Sequence, residues 1–266
     1  MEKSNINKQA LLDFLKDGKR FDGRKENEFR ELTIEYPVSN KAEGSVRVRL
    51  GKTEVIAGIK MSVGEPYPDS QDSGNLMVTA ELTPMSNSDY EPGPPSIESI
   101  ELGRIIDRGV RESKFIDLQK LCIREGELVW NIFIDLYSVN ADGNLLDACA
   151  IAAISALKVA KIPKMDGDKV LFGEWTDKNV PLTDTMPFVI TFHKIGNKLI
   201  VDPTYSEEEV STGRLTIGIS VGKEERIHSM QKGKPEPMTV EEVEFCVDEA
   251  EKKAKELKTK IDKLLK

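Results

Sequence analysis

The segment from Asn140 to Ala153, NADGNLLDACAIAA, has the order of an anion-binding site. A strand-like run ends at Asp142-Gly143, and the small and apolar residues that follow predict a helix from about Leu145 to Val159. The first N–H groups of a helix have no internal partner and lie at the positive end of its dipole, so they attract anions. Strand, glycine turn and helix start together therefore predict a binding site for a phosphate or another anion.

The side chains of this turn do not suit a phosphate. A phosphate site needs Arg, Lys, Ser or Thr at the start of the helix, because these side chains donate hydrogen bonds to phosphate oxygens. The turn offers Asn144, Leu145, Leu146 and Asp147 instead, and the carboxylate of Asp147 would repel a phosphate. Either the turn binds a different ligand, or it is an anion site that has lost its binding residues.

A second candidate site lies on the predicted helix from Ser96 to Ser113, SIESIELGRIIDRGVRES, with Ser96 as its N-cap. At about 100° per residue, one face of this helix is apolar and contains Leu102, Ile105, Ile106 and Val110. A narrow arc on the opposite side contains Arg104, Arg108 and Arg111. Three guanidinium groups in one stripe can hold successive phosphates by paired hydrogen bonds. The alternative is a solvated face, on which Glu101 and Asp107 or Glu112 neutralise the arginines.

Composition limits the partners of the chain. Its 266 residues, 39% hydrophobic and 32% charged, can bury a sizeable core. The formal net charge of -8 argues against a protein that coats nucleic acid with its whole surface, but it leaves room for a local basic stripe. We expect no membrane span, because no apolar run approaches the roughly 20 residues it needs. Residues 1–20 are amphipathic and charged, unlike a signal peptide, so the cytoplasm is the expected location.

Cysteines and histidines give little support for a metal or cofactor site. Cys122, Cys149 and Cys246 are an odd number without CxxC spacing, and they are predicted to be buried free thiols. The chain has two histidines, His193 and His228, and neither lies in a metal-binding motif. We therefore predict no metal, no cofactor and no histidine-based catalysis.

The remaining pattern predicts strands with interspersed helices. Strand-like alternation covers Glu31 to Val38, Ser45 to Leu50, Thr53 to Met61, Leu76 to Leu82, Leu128 to Tyr137 and a cluster from Phe188 to Ile227. Gly51-Lys52 predicts a hairpin turn, and Gly64 to Asn75 predicts an exposed loop. We expect an α+β fold in which layered sheets carry packed helices, formed as a single domain over 1–266 with the N-terminal helix, 1–20, as an extension.

The long C-terminal helix, about 239–265, has the clearest periodicity. Thr239 and Glu242 form a capping box, and apolar residues then recur at alternating steps of four and three. Small Ala250 and Ala254 in this stripe suit close packing on a sheet, which we favour over a coiled coil.

Five further segments of the sequence carry a resemblance to a known family. They are GKRFDGRKENEFREL, GSVRVRLGKTEVIAGI, YEPGPPSIESIELGRIIDRGVRES, VWNIFIDLYSVNADGNLLDACAIAAISAL and LIVDPTYSEEEVSTGRLTIGI. In this order and spacing they resemble the RNase PH family of phosphorolytic exoribonucleases, and within it the catalytically inactive subunit of the archaeal exosome ring. The resemblance runs from about Arg20 to the final helix and implies the RNase PH-like fold.

The resemblance also explains the turn. Active members of the family hold phosphate with Gly-Thr-Arg-Thr/Ser after the equivalent of Ala141, Asp142 and Gly143, which places the arginine at Leu146 and the hydroxyl residue at Asp147. They also use two aspartates six residues apart, and the spacing from Asp202 places these at Glu208 and Arg214. An arginine cannot accept a proton or bind a cation. The resemblance therefore implies that no residue of this chain is catalytic.

Such an inactive subunit implies particular partners. It alternates with a catalytic RNase PH-like subunit in a hexameric ring of three heterodimers, which carries RNA-binding cap subunits and degrades single-stranded RNA from its 3′ end. The inactive subunit lends arginines to hold that end, a role that the resemblance implies for Arg104 and Arg108, with Arg111 as a further candidate. Two alternatives remain: an autonomous metal-dependent exoribonuclease that uses Asp202 with Glu207 to Glu209, and a structural ring scaffold without RNA contact.

Overall fold

The computed structural model describes residues 5–16, 18–223 and 225–266. Its strands are β1 Leu32–Glu35, β2 Gly44–Leu50, β3 Thr53–Gly64, β4 Asn75–Glu81, β5 Cys122–Arg124, β6 Leu128–Asn140, β7 Lys161–Asp166, β8 Lys169–Asn179, β9 Thr185–Ile195, β10 Lys198–Val201, β11 Gly213–Gly222 and β12 Arg226–Gly233. Its helices are α1 Asn5–Lys16, α2 Ile97–Glu112, α3 Leu145–Val159, α4 Tyr205–Val210 and α5 Val240–Leu264, with a 3₁₀ helix at Leu118–Leu121. The predicted α+β fold with a long C-terminal helix is confirmed.

The first sheet has six strands in the order β1-β2-β3-β6-β4, and β5 pairs with β6. Neighbours are antiparallel except for β4, which runs parallel to β6 and ends the sheet. The predicted hairpin turn is confirmed, because Leu50 pairs with Thr53 and Gly51 adopts a φ of 59°, a left-handed conformation that favours glycine. The outer edge of β4 has no strand beside it within the described chain and faces α2 instead.

The second sheet has four antiparallel strands in the order β10-β9-β11-β12. It corresponds to the predicted strand cluster, including the glycine turn between β9 and β10. The second predicted break, SEEEVSTG, contains the short helix α4, which begins at a capping box between Thr204 and Glu207. Neither this helix nor the separate β7–β8 hairpin was predicted from the sequence.

Helix α3 lies between the two sheets. It packs on β2 and β3 on one side and on β9 on the other, and its residues from Leu146 to Leu157 are all buried. Most of them are small, so the helix approaches both sheets closely. One hydrophobic cluster includes residues of both sheets and of α2, α3 and α5. The single domain over 1–266 stays a prediction.

The two terminal helices pack on the second sheet. Helix α5 begins at the predicted capping box, in which the Glu242 N–H donates to Thr239 Oγ1 (3.2 Å) and the Thr239 N–H donates to the Glu242 carboxylate (2.9 Å). Ala250 and Ala254 are buried where α5 packs on β9 and β11, so docking on a sheet is confirmed. Within the predicted N-terminal helix, α1 packs through Leu15 against β9 and β10, and residues 1–4 and 17 lie outside the described part.

None of the helices in the described ranges has the length and apolar character that crossing a membrane requires.

Candidate functional site

The turn before α3 is held in place by backbone geometry and one buried arginine. Gly143 has a φ of 84°, and a Cβ there would lie 2.5 Å from the carbonyl oxygen of Pro203, so only glycine fits. The guanidinium of Arg30 donates to the carbonyl oxygens of Asp142 (2.8 Å) and Gly143 (3.1 Å). The same guanidinium forms a two-point ion pair with the buried carboxylate of Asp202, at 2.7 and 2.9 Å. Arg30 therefore ties the turn to the segment that follows β10.

Asp147 lies beneath this turn and does not face its mouth. Its carboxylate accepts hydrogen bonds from the Asn144 side chain (3.1 Å) and from the Thr191 N–H of β9 (3.2 Å), and it is fully buried. Burial raises the pKa of Asp147 to about 7, against the opposing effect of these hydrogen bonds. The prediction that Asp147 would repel a phosphate from within the site is therefore wrong, because its side chain joins α3 to β9.

A cleft of about 520 Å³ opens in front of the turn. We call it the α3 cleft, and the residues that matter for its chemistry are Leu146, Glu208, Arg214 and Lys234, which all line it. Leu146 places an apolar side chain where the family resemblance expects the phosphate-binding arginine. The structure thus brings together Leu146, Glu208 and Arg214, three of the four positions that the family resemblance assigned to one site, whereas the fourth, Asp147, does not line the cleft.

The carboxylate of Glu208 occupies the position of an anion at the start of α3. The backbone N–H of Asn144 donates to Glu208 Oε2 at 3.3 Å, and His193 Nε2 lies 3.7 Å from Oε1. Burial raises the pKa of Glu208, and the nearby cations Lys234 and Arg214 act in the opposite direction. The positive end of the helix is therefore served by an internal carboxylate.

The cations around the α3 cleft are also engaged. Arg214 forms an ion pair with Glu101 of α2. The Lys234 ammonium donates to the carbonyl oxygen of Ser211 (3.2 Å) and to that of Glu208. Sequence reasoning missed Lys234, because it comes from the loop after β12 and no local motif marks it.

Two of the four acidic residues of the metal-dependent alternative, Asp202 and Glu207, are held in buried ion pairs. Asp202 is fully buried and pairs with Arg30 (2.7 Å) and Arg24 (3.0 Å). Glu207 is also buried, and its two oxygens accept from the Arg20 guanidinium at 2.6 and 2.8 Å. Within residues 5–16, 18–223 and 225–266, no three His, Cys, Asp or Glu side chains are arranged to hold a metal ion.

Both histidines lie in strands of the second sheet. His193 of β9 is buried, and its Nδ1 lies 2.9 Å from Ser211 Oγ. Burial holds the pKa of His193 well below its ordinary value, and Lys234 and Arg214 lower it further, so the ring is neutral at physiological pH. His228 lies in β12, where its Nε2 is 2.8 Å from Ser220 Oγ.

The arginine stripe lies on α2 as the periodicity predicted. Its N-cap is Ser96, whose hydroxyl accepts from the Ser99 N–H at 3.2 Å, and the four predicted apolar residues are buried. Arg104 and Arg108 are exposed and make no hydrogen bond or ion pair with any other residue that the structure describes. They line a groove between α2 and β4, which we call the α2 groove.

Arg111 differs from the other two arginines of the stripe. Its guanidinium pairs with Asp107 at 2.7 Å and donates to the carbonyl oxygen of Leu76 on the free edge of β4 at 2.9 Å. The solvated-face alternative is thus correct for the Asp107–Arg111 pair. Arg111 fastens the helix to the sheet, whereas the guanidinium groups of Arg104 and Arg108 have no partner among the described residues.

The two layered sheets, the glycine turn and the α3 cleft together define a 3′ exoribonuclease fold of the RNase PH class. The chain belongs to this family: the family's domain 1 matches residues 28–163 and its domain 2 matches residues 185–253.

Within the family, the chain is similar to archaeal exosome proteins. It is 42% identical over 262 residues to "Exosome complex component Rrp42" of Methanothermobacter thermautotrophicus, covering 97% of this chain and 95% of the relative. A chain in the solved structure "archaeoglobus fulgidus exosome with RNA bound to the active site" matches with a TM-score of 0.89 and 41% identity, over 96% of this chain and 98% of that one. A chain of an "Archaeal exosome core" matches with a TM-score of 0.86 and 39% identity, over 97% of each chain.

Proposed function

We propose that this protein is the non-catalytic, RNA-binding subunit of an archaeal exosome core ring. In this proposal it alternates with a catalytic RNase PH-like subunit in a hexameric ring of three heterodimers, which carries RNA-binding cap subunits and acts in the cytoplasm on single-stranded RNA. Similarity to Rrp42 exosome components over nearly the whole chain supports membership of the ring.

The proposal of a non-catalytic role rests on the side chains that line the α3 cleft. Phosphorolysis needs cationic donors that hold a phosphate and carboxylates that manage protons or a metal ion. Here Leu146 replaces the cation, Arg214 stands at one carboxylate position and is paired with Glu101, and Glu208 already accepts the Asn144 N–H. A phosphate entering this cleft would meet an apolar side chain and a competing carboxylate.

The RNA-binding role rests on Arg104 and Arg108. These two guanidinium groups lie on neighbouring turns of one helix and have no partner among the described residues, so each can hold a phosphate. We assign the main phosphate contacts to Arg104 and Arg108. Arg111 contributes a weaker contact, because its donors are shared with Asp107 and the Leu76 carbonyl.

Two of the four acidic residues that the metal-dependent alternative would use are already engaged in buried ion pairs, which counts against it. To bind a metal ion, Asp202 and Glu207 would have to give up buried ion pairs with Arg30 and Arg20. Breaking such pairs costs several kcal/mol, about 3 to 5 for each partner left unpaired in a protein interior. The scaffold alternative predicts that replacing Arg104 and Arg108 leaves RNA affinity unchanged, whereas the RNA-binding role predicts a loss of affinity.

The test compares this chain alone with the assembled ring. Phosphate-dependent release of nucleoside diphosphates from a 3′ single-stranded RNA should be absent for the single chain and present for the ring. In the ring, Arg104→Ala/Arg108→Ala should weaken RNA binding and flatten its salt dependence by about 1 to 2 units of log-log slope. Activity of the single chain would overturn the non-catalytic role, and an unchanged affinity and slope would favour the scaffold.

A further inference from the structure

The α2 groove has more than two arginines to offer a ligand. It encloses about 360 Å³ between helix α2 and the last strand of the first sheet. Arg104 and Arg108 form one side, and Pro95 and Ile100 line an apolar part near the start of the helix. The floor is backbone, formed by β4 around Val78 and by Gly103 of α2. Asp107, which is paired with Arg111, also lines the groove between the two arginines. Cationic, acidic, apolar and backbone polar groups therefore meet within one small groove.

The floor of the groove is an unpaired strand edge. Leu76 and Ala80 both point their carbonyl groups toward α2, where the Arg111 guanidinium and the Ser99 hydroxyl donate to them. Residues two apart on a strand point to the same edge, so Val78, midway between them, presents its own N–H and C=O groups to the groove. No side chain of the described residues donates to the Val78 carbonyl. The groove thus keeps one backbone donor and one acceptor available.

Gly103 keeps this floor open. A Cβ at this position would lie 3.4 Å from the Val78 carbonyl oxygen and 3.8 Å from the Ala80 nitrogen, which are ordinary contact distances. Packing therefore does not require glycine, although glycine inside a helix costs about 1 kcal/mol relative to alanine. What an added methyl group would do is cover the Val78 backbone groups and reduce the depth of the groove.

We propose that the α2 groove seats one nucleoside of the bound RNA. This inference rests on the RNA-binding role proposed above and extends it from phosphates to the sugar and base. Arg104 and Arg108 hold the phosphates on either side, the base lies against Pro95 and Ile100, and the ribose hydroxyl group bonds the backbone of Val78. A base has apolar faces that stack on guanidinium and apolar side chains, and a ribose 2′-hydroxyl both donates and accepts hydrogen bonds.

The variant Gly103→Ala tests the groove without touching either arginine. In the assembled ring we expect it to weaken binding of single-stranded RNA about tenfold, the equivalent of one stacked base, with an unchanged salt slope because no phosphate contact is lost. Gly109→Ala is the matched control. It makes the same substitution on the same helix, where the new Cβ would meet Val189 Cγ2 at 3.7 Å outside the groove, and it should bind RNA like the unchanged ring.

The sugar contact is tested with single-stranded DNA of the same sequence. The unchanged ring should prefer RNA, and this preference should fall in Gly103→Ala but not in Gly109→Ala. Equal RNA affinity of Gly103→Ala and the unchanged ring would overturn the nucleoside seat. It would leave the RNA-binding role intact if Arg104→Ala/Arg108→Ala still weakens binding, so the failures of the two proposals are distinguishable.

Discussion

The α3 cleft and the α2 groove both place arginines beside a helix, but they use them in opposite ways. In the cleft, Arg214 pairs with Glu101, and Arg30 beneath the turn pairs with Asp202. In the groove, Arg104 and Arg108 have no partner among the described residues. A guanidinium that is already satisfied gains little from an added anion, whereas an exposed, unpaired one can take up a phosphate without breaking another contact. The difference indicates that charge in the cleft maintains the fold and charge in the groove remains available for a ligand.

The largest expected effect is on stability and comes from replacing Arg30. This variant tests whether the charges around the cleft maintain the fold. Arg30→Ala removes the two-point ion pair with Asp202 and the hydrogen bonds to the carbonyls of Asp142 and Gly143. Leaving the buried Asp202 carboxylate without this partner should lower the free energy of unfolding by about 3 to 5 kcal/mol. Denaturant unfolding of the purified chain measures this. Arg49→Ala, which removes surface ion pairs with Glu35 and Glu54, is the control and should leave the midpoint unchanged. A small effect of Arg30→Ala would mean that the turn does not depend on this network.

The second prediction concerns Asp147, whose pKa is raised to about 7 in the folded protein from an ordinary value of 3.8. The neutral carboxyl is the form that folding favours, so its contribution to stability is complete below about pH 4. It is lost as the pH rises through 7, by at most about 1.4 kcal/mol per pH unit. Asp147→Asn cannot ionise and should remove this decline. Denaturant unfolding between pH 4 and 8 measures the difference, and exposed Asp166→Asn should keep the original profile. Parallel profiles for Asp147→Asn and the unchanged chain would contradict the assignment.

Sequence reasoning succeeded where structure depends on local signals. The bounds of α3, the capping box at Thr239 and the buried face of α2 follow from periodicity and capping within a few turns of helix. The positions of Leu146, Glu208 and Arg214 in one site required the family resemblance, because the three residues come from α3, α4 and β11 and no local pattern connects them.

Most features that the sequence analysis did not predict depend on residues that are far apart in the sequence. The Asp147 side chain points away from the cleft because it accepts a hydrogen bond from the Thr191 N–H on β9. Lys234 reaches the cleft from the loop after β12. The β7–β8 hairpin was missed because its strands are short of apolar alternation and rich in charge, so they lack the usual strand pattern. Which arginines of the stripe are free also depended on the fold, since Arg111 is engaged by the edge carbonyl of Leu76.

The third prediction separates the arginines within the stripe. Arg111→Ala should lower the free energy of unfolding by about 1 kcal/mol, because it removes the hydrogen bond to Leu76 and a helix ion pair with Asp107. Arg104→Ala should leave stability unchanged and alter RNA affinity in the ring. Thermal unfolding and salt titrations of RNA binding on the same two variants provide the measurement. If Arg104→Ala destabilises as much as Arg111→Ala, the distinction between a fastening and a free arginine is lost.

The smallest expected effect comes from removing the ion-pair partner of Arg214, so that the α3 cleft, like the α2 groove, has an unpaired arginine. Glu101→Gln keeps a hydrogen-bond acceptor beside Arg214 but removes the charge that neutralises it. If the Glu101 ion pair is what prevents the cleft from binding phosphate, Arg214 without that pair should bind inorganic phosphate together with Lys234. We expect a dissociation constant in the millimolar range. At about 10 mM phosphate this would stabilise the folded chain by roughly 1 kcal/mol, relative to chloride at equal ionic strength.

Glu98→Gln is the matched control for this smallest effect, because Glu98 also lines the cleft but forms no ion pair with Arg214. Phosphate should stabilise Glu101→Gln and leave Glu98→Gln and the unchanged chain at the same melting temperature in either salt. Equal stabilisation of both variants would show that total negative charge, not the specific pair, keeps phosphate out. No stabilisation of either would assign the exclusion of phosphate to Leu146 and Glu208, since every variant keeps the Leu146 side chain in the cleft and the Glu208 carboxylate at the Asn144 N–H.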